Sequence, residues 1–184
     1  MCGGRGTRLG RGEKPLAEVC GEPMVARVAA ACADSRVEAT YAVTSPHAPE
    51  TARVARERLD LPSIETPGEG YVADLDRALA DSRVEPPVLT VVADLPLLDG
   101  PTLDAVLDAA AERGSLAVCV PASLKRALGA SVDTAFEHEG RELAPTGCNV
   151  VAADPDSIMI TENDRLAVNV NRPRDVRIAE ERCD

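Results

Sequence analysis

Residues 1–16 read MCGGRGTRLGRGEKPL and combine five glycines within ten positions with four cationic side chains and one glutamate. Glycine lets the backbone approach a ligand closely because it carries no Cβ, and successive amides in such a loop can form an anion-binding concavity. A loop of this kind normally follows a buried strand of an α/β sheet. The stretch therefore predicts a loop that binds a polyphosphate at the edge of a sheet.

The spacing of the glycines excludes the two commonest phosphate loops. No glycine directly precedes Lys14, as a P-loop requires, and Gly10 comes one residue too late for a dinucleotide fingerprint that starts at Gly4. The pattern G-G-x-G-T-R-x-G followed by E-K-P-L instead resembles the signature of nucleotidyltransferases that build nucleoside-diphosphate products. That group includes sugar-nucleotide pyrophosphorylases and the molybdenum-cofactor guanylyltransferases. The alternative interpretation is a mobile, glycine-rich N-terminus without a ligand.

The resemblance implies a role for each part of the loop. The loop would wrap the triphosphate of a nucleotide, with Arg8 and the backbone amides on the β- and γ-phosphates and Lys14 at the α-phosphate. Arg8 and Lys14 would then be catalytic residues. The nucleotide-binding residues implied for this segment are Gly3, Gly4, Gly6, Thr7, Arg8 and Lys14.

Composition limits the classes of partner. The formal net charge is −11, which disfavours nucleic acid and anionic membranes as partners. Lys14 and Lys125 are the only two lysines, aromatic residues make up 2% of the chain, and hydrophobic residues make up 45%. An acidic, arginine-rich composition of this kind is typical of halophilic proteins, whose surface repulsion is screened because the Debye length in molar salt is about 3 Å.

The six cysteines form no C-x-x-C pair, so a zinc ribbon or a redox motif is not indicated. We expect them to be small buried hydrophobic residues in the reducing cytoplasm. The sequence shows neither a signal peptide nor an apolar run of membrane-spanning length.

Hydrophobic periodicity predicts alternating helices and strands. The run Pro87–Ala93 is the clearest strand, because it is apolar on both faces as central parallel strands are. Asp99 is expected to cap the helix that follows, and residues 122–145 are expected to be irregular, with a hairpin at 136–143. Helices are predicted over 23–34, 50–59, 71–80 and 174–182, and one more begins after the Asp99 cap, with its apolar positions between 103 and 110. Further strands are predicted over 41–44, 63–66, 116–120, 148–151 and 166–170.

This alternation predicts one nucleotidyltransferase domain over residues 1–184, with a Rossmann-like α/β fold. We expect a three-layer α/β/α sandwich around a mostly parallel sheet. Only Met1 and Cys2 precede the glycine loop, so the first strand of that fold is expected to be missing and the chain start to lie upstream. In such sheets ligands bind beyond the carboxyl ends of the strands, which the loop, Asp94 and the region of Asn169 can all reach.

Asp94 follows the clearest strand and is the first chemical candidate outside the loop. A carboxylate there can hold Mg²⁺ against phosphate oxygens, since this ion takes only one or two carboxylates and keeps several waters. The family resemblance, which includes a D-x-P-like element after this strand, implies the same. The alternative is an aspartate that serves only the turn into the next helix.

The stretch N-V-N-R-P-R-D, residues 169–175, is the second candidate. Asn169 is predicted as a further metal ligand through its amide oxygen, and Asn171 as a residue that orients the acceptor phosphate. The competing interpretation is that Asn171 caps the helix that Pro173 enters. The family has a similar stretch at this place.

Three further segments narrow the resemblance. They are T-S-P at 44–46, G-E-G-Y-V-A-D-L at 68–75 and P-T-G-C-N-V-V at 145–151. Together with the loop and N-V-N they resemble the archaeal GTP:adenosylcobinamide-phosphate guanylyltransferases, in the same order from Cys2 to about Glu181. The resemblance implies a guanine pocket at Ser45, Pro46, Gly68 and Gly70, and an acceptor side at Gly147 and Asn149, besides Asn171. His47 and His138 are lone loop histidines for which no role is predicted.

The implied reaction is transfer of GMP from GTP to a phosphorylated corrinoid with release of pyrophosphate. The acceptor phosphate is already anionic, so no general base is required. Two alternatives stay open, which are the same chemistry on another acceptor, such as molybdopterin or a sugar phosphate, and a nucleotide-binding module without catalysis. Oligomeric state does not follow from composition or periodicity, and a homodimer is kept as a hypothesis.

Overall fold

The structure is a computed structural model that describes residues 1–3, 12–153 and 157–183. A 3-10 turn over Lys14–Leu16 precedes the first strand. The strands in these ranges are β1 (Glu18–Val19), β2 (Glu22–Pro23), β3 (Ala42–Thr44), β4 (Ser63–Glu65), β5 (Val88–Val91), β6 (Leu116–Pro121), β7 (Phe136–His138), β8 (Arg141–Val151) and β9 (Ser157–Ile160). The α-helices in the same ranges are α1 (Met24–Ala33), α2 (Pro49–Glu57), α3 (Tyr71–Leu79), α4 (Gly100–Arg113), α5 (Ala122–Ala127), α6 (Asp164–Ala167) and α7 (Pro173–Glu180).

The central sheet is mixed, and helices cover both of its faces. Its larger part has the strand order β5-β8-β6-β9, in which β8 runs antiparallel to β5 and β6 while β6 and β9 are parallel. Strands β3 and β4 form a separate parallel pair. The predicted α/β architecture is confirmed, and the expected parallel arrangement is interrupted by β8.

Met1 and Cys2 lie between β3 and β5 and join the two parts of the sheet. The amide of Cys2 donates to the carbonyl of Val43 at 2.8 Å, and the amino group of Met1 donates to the carbonyl of Val91 at 2.7 Å. The amide of Ala93 donates to the carbonyl of Met1 at 3.2 Å. These two residues occupy the place where the strand ahead of the glycine loop is predicted. The prediction of further strand residues upstream stays a prediction.

The main hydrophobic core lies between the sheet and helix α4. Leu103 and Val106 of α4 are at most 1% exposed and pack with Leu116, Val118 and Val120 of β6. Asp99 begins α4 as predicted, because its side chain accepts a hydrogen bond from the amide of Thr102 at 2.9 Å. This packing holds the carboxyl end of β5, and with it Asp94, at one edge of the sheet.

Two predictions of secondary structure are wrong. Residues 166–170 do not form a strand, because α6 ends at Ala167 and the next residues carry no strand pairing. Val168 and Val170 are nevertheless fully buried, so their alternating apolar pattern reflects packing against α7 and not a ladder. Residues 122–145 are more regular than expected, since they contain α5 besides the confirmed hairpin of β7 and β8.

The cysteine prediction is wrong for two of the six residues. Cys20, in the turn between β1 and β2, and Cys183, after α7, form a disulfide. Cys2, Cys32, Cys119 and Cys148 are buried free thiols, as predicted. The pair is 163 residues apart in sequence, so no local spacing could have indicated it.

Reduction of this disulfide is expected to lower the free energy of unfolding by about 2–4 kcal/mol, because the bond constrains a long loop of the unfolded chain. Urea unfolding with and without reductant measures the difference. A Cys20→Ser, Cys183→Ser double variant is the control and should not respond to reductant. Equal stability of the oxidised and reduced wild-type protein would contradict the prediction.

Candidate active site

A cavity of about 460 Å³ opens at the carboxyl ends of the strands. This volume is within the usual range for small-molecule sites. Of the predicted site residues, Gly3, Lys14, Gly68, Gly70 and Asp94 line it. Gly4, Gly6, Thr7 and Arg8 lie outside the described residues, so their predicted roles stay predictions.

Lys14 is the one Lys or Arg side chain that lines this cavity among the residues that the structure describes. Its ammonium donates hydrogen bonds to Oδ2 of Asp94 and, at 2.5 Å, to Oδ1 of Asn171. The side chains of Lys14 and Asp94 are each 18% exposed, so a ligand in the cavity can reach both. The structure thus brings together three residues that the sequence predicted separately, over separations of 80 and 157 residues.

Glu13 fixes the end of the loop that carries Lys14. Its carboxylate accepts hydrogen bonds from the amides of Glu50 and Thr51 and from the hydroxyl of Thr51, at 2.6–2.9 Å. Burial raises the pKa of Glu13, but these hydrogen bonds outweigh that effect and the pKa lies below its ordinary value. Sequence reasoning counted Glu13 only as an opposing charge, although it stands in the E-K-P-L motif.

Asn169 contacts Asp94 through its amide nitrogen. Its Nδ2 donates to Oδ1 of Asp94 at 3.1 Å and to the carbonyl of Thr146 at 2.8 Å. Its Oδ1 accepts a hydrogen bond from Nζ of Lys125 at 2.8 Å. The oxygen predicted to ligate a metal therefore points toward a lysine in this structure, and that role of Asn169 would require its amide to turn over. The ligand role stays a prediction.

Lys125 is a member of the site that the sequence did not predict. It is 3% exposed and also donates to the carbonyl of Ala167 at 2.8 Å. Burial lowers its pKa, and the charges of Asp94, Asp175 and Asp133 oppose that effect. Lys14 contacts Asp94 directly, and Lys125 contacts it through Asn169. These are the only two lysines of this arginine-rich chain, so the rarity of lysine in the sequence could have indicated Lys125 as a site residue.

We expect Lys125→Met to lower the affinity for a catalytic divalent cation by about tenfold, because Asn169 then loses the partner that orients it toward Asp94. Titration of activity against Mg²⁺ measures this effect, and Lys125→Arg, which keeps a donor, should be less affected. An unchanged cation requirement in Lys125→Met would contradict the prediction.

The pH dependence of stability gives a second readout for Lys125. Between the lowered pKa of Lys125 and the ordinary lysine pKa of 10.5, the unfolded chain binds more protons than the folded one. Lys125 therefore makes the free energy of unfolding rise with pH in that window. The rise should be smaller in Lys125→Met.

Asn171 is not the cap of α7, which settles the alternative left open by the sequence. Arg172 is the N-cap of α7, and the buried carboxylate of Asp175 accepts from the amides of Asn171 and Arg172 at 3.0 and 2.8 Å. The side chain of Asn171 is therefore available to Lys14. Its predicted role toward the acceptor phosphate stays a prediction.

Of the four residues predicted for the guanine pocket, Gly68 and Gly70 line the cavity, whereas Ser45 and Pro46 are not among its lining residues. The hydroxyl of Ser45 donates to the carbonyl of Gly3 at 2.8 Å. A ring nitrogen of His47, Nε2, lies 3.1 Å from the carbonyl of Gly68, so this histidine lines the cavity although no role was predicted for it. Pro46 is exposed and does not line the cavity.

Gly147 and Asn149, predicted on the acceptor side, both lie on β8. The carbonyl of Gly147 accepts from the amide of Val92 at 3.1 Å, next to Asp94. Asn149 pairs with Thr90 of β5, and its Nδ2 is 3.5 Å from the hydroxyl of Tyr71 at the cavity rim. Gly147 is thus close to the charged centre, whereas Asn149 lies two residues farther along the strand.

Gly147→Ala is expected to reduce turnover on the order of 10²-fold, because it displaces backbone beside the reacting groups. Gly147 has φ +82°, and a Cβ there would lie 2.4 Å from Cγ2 of Val92. Gly140→Ala is the matched control, since Gly140 has φ +74° with no atom within 4 Å of a Cβ. Steady-state kinetics should show partial rescue in a Gly147→Ala, Val92→Ala double variant, and equal losses in both glycine variants would contradict the role of the clash.

The comparisons with known proteins identify the family. The model of the MobA-like NTP transferase domain matches residues 1–156. The chain belongs to this family. It is therefore an enzyme of the nucleotidyltransferase class. This membership disfavours the alternative of a nucleotide-binding module without catalysis.

Individual relatives agree with the family. This MobA-like chain is 29% identical to the adenosylcobinamide-phosphate guanylyltransferase of Methanocaldococcus jannaschii, over 98% of this chain and 93% of that protein. The resemblance predicted from the sequence is thereby confirmed.

Two solved structures share the fold. A hypothetical transferase from Thermus thermophilus has a TM-score of 0.60 and 24% identity over 83% of this chain, which spans 63% of that structure. CMP:2-keto-3-deoxy-manno-octonic acid synthetase complexed with CTP has a TM-score of 0.57 and 15% identity, over 79% of this chain and 69% of that one. None of the helices in the described part of this chain has the length and hydrophobicity that a bilayer-spanning segment requires.

Proposed function

We propose that this MobA-like enzyme transfers GMP from GTP to adenosylcobinamide phosphate, giving adenosylcobinamide-GDP and pyrophosphate. The observation that carries the proposal is the 29% identity to the adenosylcobinamide-phosphate guanylyltransferase of Methanocaldococcus jannaschii across 98% of the chain. We further propose that residues 1–184 act as one nucleotidyltransferase domain. Its substrates would be GTP and the phosphorylated corrinoid, and the homodimer stays a prediction.

Lys14 supplies the positive charge at the reacting phosphate. The chain carries a net charge of −11, so a nucleotide triphosphate needs a local cation to enter the site. In the structure Asp94 and Asn171 hold the Lys14 ammonium at the cavity wall. An entering α-phosphate competes with Asp94 for this ammonium, and Asn171 keeps the lysine in position during the exchange.

The acceptor phosphate is the nucleophile in this scheme. One of its oxygens forms a bond to the α-phosphorus of GTP, and the bond from the α-phosphorus to the bridging oxygen of the β-phosphate breaks. Pyrophosphate leaves with that electron pair. The attacking oxygen carries no proton at neutral pH, so the enzyme has to align the two groups and to neutralise charge.

The donor set fits a magnesium ion held mainly by substrate. Within the described residues no group of three or more His, Cys, Asp or Glu side chains could hold a metal. Asp94 lines the cavity as a single carboxylate, and one or two carboxylates with phosphate oxygens suffice for Mg²⁺. Members of this family typically use a divalent metal. Held by Asp94, Mg²⁺ would neutralise charge on the phosphate oxygens.

Initial rates of pyrophosphate release test the proposal. The purified protein is given GTP, ATP, CTP or UTP with Mg²⁺ at high salt, each with and without adenosylcobinamide phosphate. We expect release from GTP only when the corrinoid is present, with adenosylcobinamide-GDP as the second product. Molybdopterin and a sugar 1-phosphate serve as comparison acceptors.

The outcomes separate nucleotide from acceptor. Release from GTP with a different acceptor would leave the guanylyltransferase chemistry standing and overturn the corrinoid assignment. Preference for another nucleotide would overturn the use of GTP. A folded protein that binds no nucleotide would overturn the interpretation of the glycine loop.

A further inference from the structure

Asp74 is a buried carboxylate that the proposed mechanism does not use. It lies in the first turn of α3 and is 7% exposed. It lines the same cavity as Lys14 and Asp94, on the wall formed by the segment between β4 and α3. Carboxylates are rarely this buried without a partner, and one that borders a cavity can find that partner in a bound ligand.

The two oxygens of Asp74 have different surroundings. One of them, Oδ1, accepts a hydrogen bond from the amide of Gly68 at 2.8 Å. No residue in the described ranges donates to the other oxygen, Oδ2. The buried side-chain atom without a partner in those ranges is Oγ of Ser63, so Oδ2 is not sealed in the interior. It therefore borders the cavity as an unused acceptor.

The segment between β4 and α3, which forms this wall of the cavity, is held in place at Gly68. Gly68 has φ +76°, and a Cβ there would lie 2.8 Å from the His47 ring. The carbonyl of Gly68 also faces Nε2 of His47, at 3.1 Å. Glu69, the other acidic residue of this wall, is exposed, whereas Asp74 is buried. Asp74 is thus the preorganised acid of the two.

An ionised carboxylate accepts hydrogen bonds and donates none. The Watson–Crick edge of guanine offers two neighbouring donors, N1–H and the 2-amino group, whereas adenine presents an acceptor at N1. A fixed acceptor therefore favours guanine and leaves adenine with two opposed lone pairs. Discrimination is large where a buried polar group would otherwise stay unpaired.

We infer that Asp74 is the residue that selects guanine. Oδ2 accepts a hydrogen bond from the 2-amino group of the base, and Oδ1, which already accepts from the amide of Gly68, accepts a second hydrogen bond from N1–H. The inference rests on the proposed use of GTP and adds to it a residue that determines base specificity. It places the base at the β4–α3 wall and the phosphates at Lys14.

Asp74→Asn tests the inference without removing the support of the loop. The asparagine oxygen can still accept from the amide of Gly68, while its amide nitrogen replaces Oδ2 by a donor. Xanthine keeps N1–H, from which the asparagine oxygen can accept, and carries a 2-carbonyl where guanine carries the 2-amino group, so the variant should accept XTP. We expect kcat/KM for GTP to fall and that for XTP to rise, each on the order of 10²-fold.

Asp76→Asn is the matched control, because Asp76 lies on the same helix and is exposed. It should keep the wild-type preference for GTP over XTP. Circular dichroism of both variants reports whether the fold is kept.

The possible outcomes separate a role of Asp74 in base selection from a role in loop stability. If wild type uses GTP and a folded Asp74→Asn still prefers GTP over XTP, the inference is overturned. Loss of GTP activity without a gain for XTP also overturns it, since Asp74 would then only support the loop. A gain for XTP supports it. A wild-type enzyme that does not use GTP overturns the proposed function and the inference together.

Discussion

Replacing Lys14 by alanine is expected to lower turnover by on the order of 10³-fold while the fold persists. Lys14 is the cation that would meet the charge developing on the α-phosphate, and in the structure it is held ready by Asp94 and Asn171. Its ion pair with Asp94 lies at the cavity wall and is partly exposed, so its loss should cost at most about 1 kcal/mol of stability.

The measurement is steady-state guanylyl transfer together with thermal unfolding of each variant. Asp94→Ala should lose activity to a similar extent, because Asp94 both holds Lys14 and would bind the metal. Activity losses in the double variant should be far from additive, since the two residues act as a unit.

Arg53→Ala and Asp108→Ala are matched controls. Both residues form exposed ion pairs on the surface, with Glu50 and Glu57 and with Arg36 respectively, and neither lines the cavity. Turnover near the wild-type rate is expected for both. Turnover near that rate in Lys14→Ala or Asp94→Ala would overturn the assignment of the active site.

Asp175→Ala is expected to lower the free energy of unfolding by about 3–5 kcal/mol, the largest loss of stability that we predict. Asp175 is 0% exposed and accepts from the amides of Ser131, Asn171 and Arg172 and from the hydroxyl of Ser131. Removing the carboxylate leaves these buried donors without an acceptor, and each unpaired group carries a desolvation cost.

Urea unfolding of wild type and variant measures this loss. Arg174→Ala is the control, because the Arg174 side chain is half exposed and its Nε lies 3.8 Å from the carboxylate of Asp175. Its effect should stay within about 1 kcal/mol. If the two variants were equally stable, Asp175 would not organise this segment.

Asp175 should also affect catalysis at permissive temperature. Its carboxylate fixes the backbone of Asn171, whose side chain contacts Lys14. The milder variant Asp175→Asn, measured at a temperature at which it is folded, should therefore have a lower kcat than wild type, with a smaller change in KM for the nucleotide. An unchanged kcat in a folded variant would mean that Asn171 is positioned by other contacts.

The elements that sequence reasoning identified are those with a strong local signal. The run that became β5 is apolar on both faces, and the cap of α4 is an aspartate two residues before a proline, so both were predictable from neighbouring residues. The same holds for the loop motif and for Asp94, which stands at the end of that strand.

The strand predicted at 166–170 failed for an instructive reason. Val168 and Val170 alternate with polar residues, as in a half-buried strand, but their side chains pack with Val176 and Ala179 of α7. Alternation indicates which side chains are buried. It does not indicate whether a neighbouring strand is present to pair with the backbone.

The positioning residues could not be predicted because their partners are distant in sequence. Glu13 contacts Thr51 across 38 residues, Lys125 contacts Asn169 across 44, and Asp175 contacts Ser131 across 44. No spacing rule connects such pairs. Gly68 and Asp74 are only six residues apart, yet the sequence did not show that one oxygen of Asp74 would be left facing the cavity.

The sequence by itself determined the class of chemistry, because a loop of closely spaced glycines with its cations can hold a polyphosphate wherever it is placed. It also predicted the main alternation of helices and strands, since periodicity follows from which faces are buried, but it missed β1, β2, β9, α5 and α6. Only the tertiary structure decided which partner each amide oxygen and nitrogen of Asn169 and Asn171 contacts. Asn171 turned out to hold Lys14, while Asn169 presents its nitrogen to Asp94 and its oxygen to Lys125. That choice depends on hydrogen bonds between segments that meet only when the sheet forms.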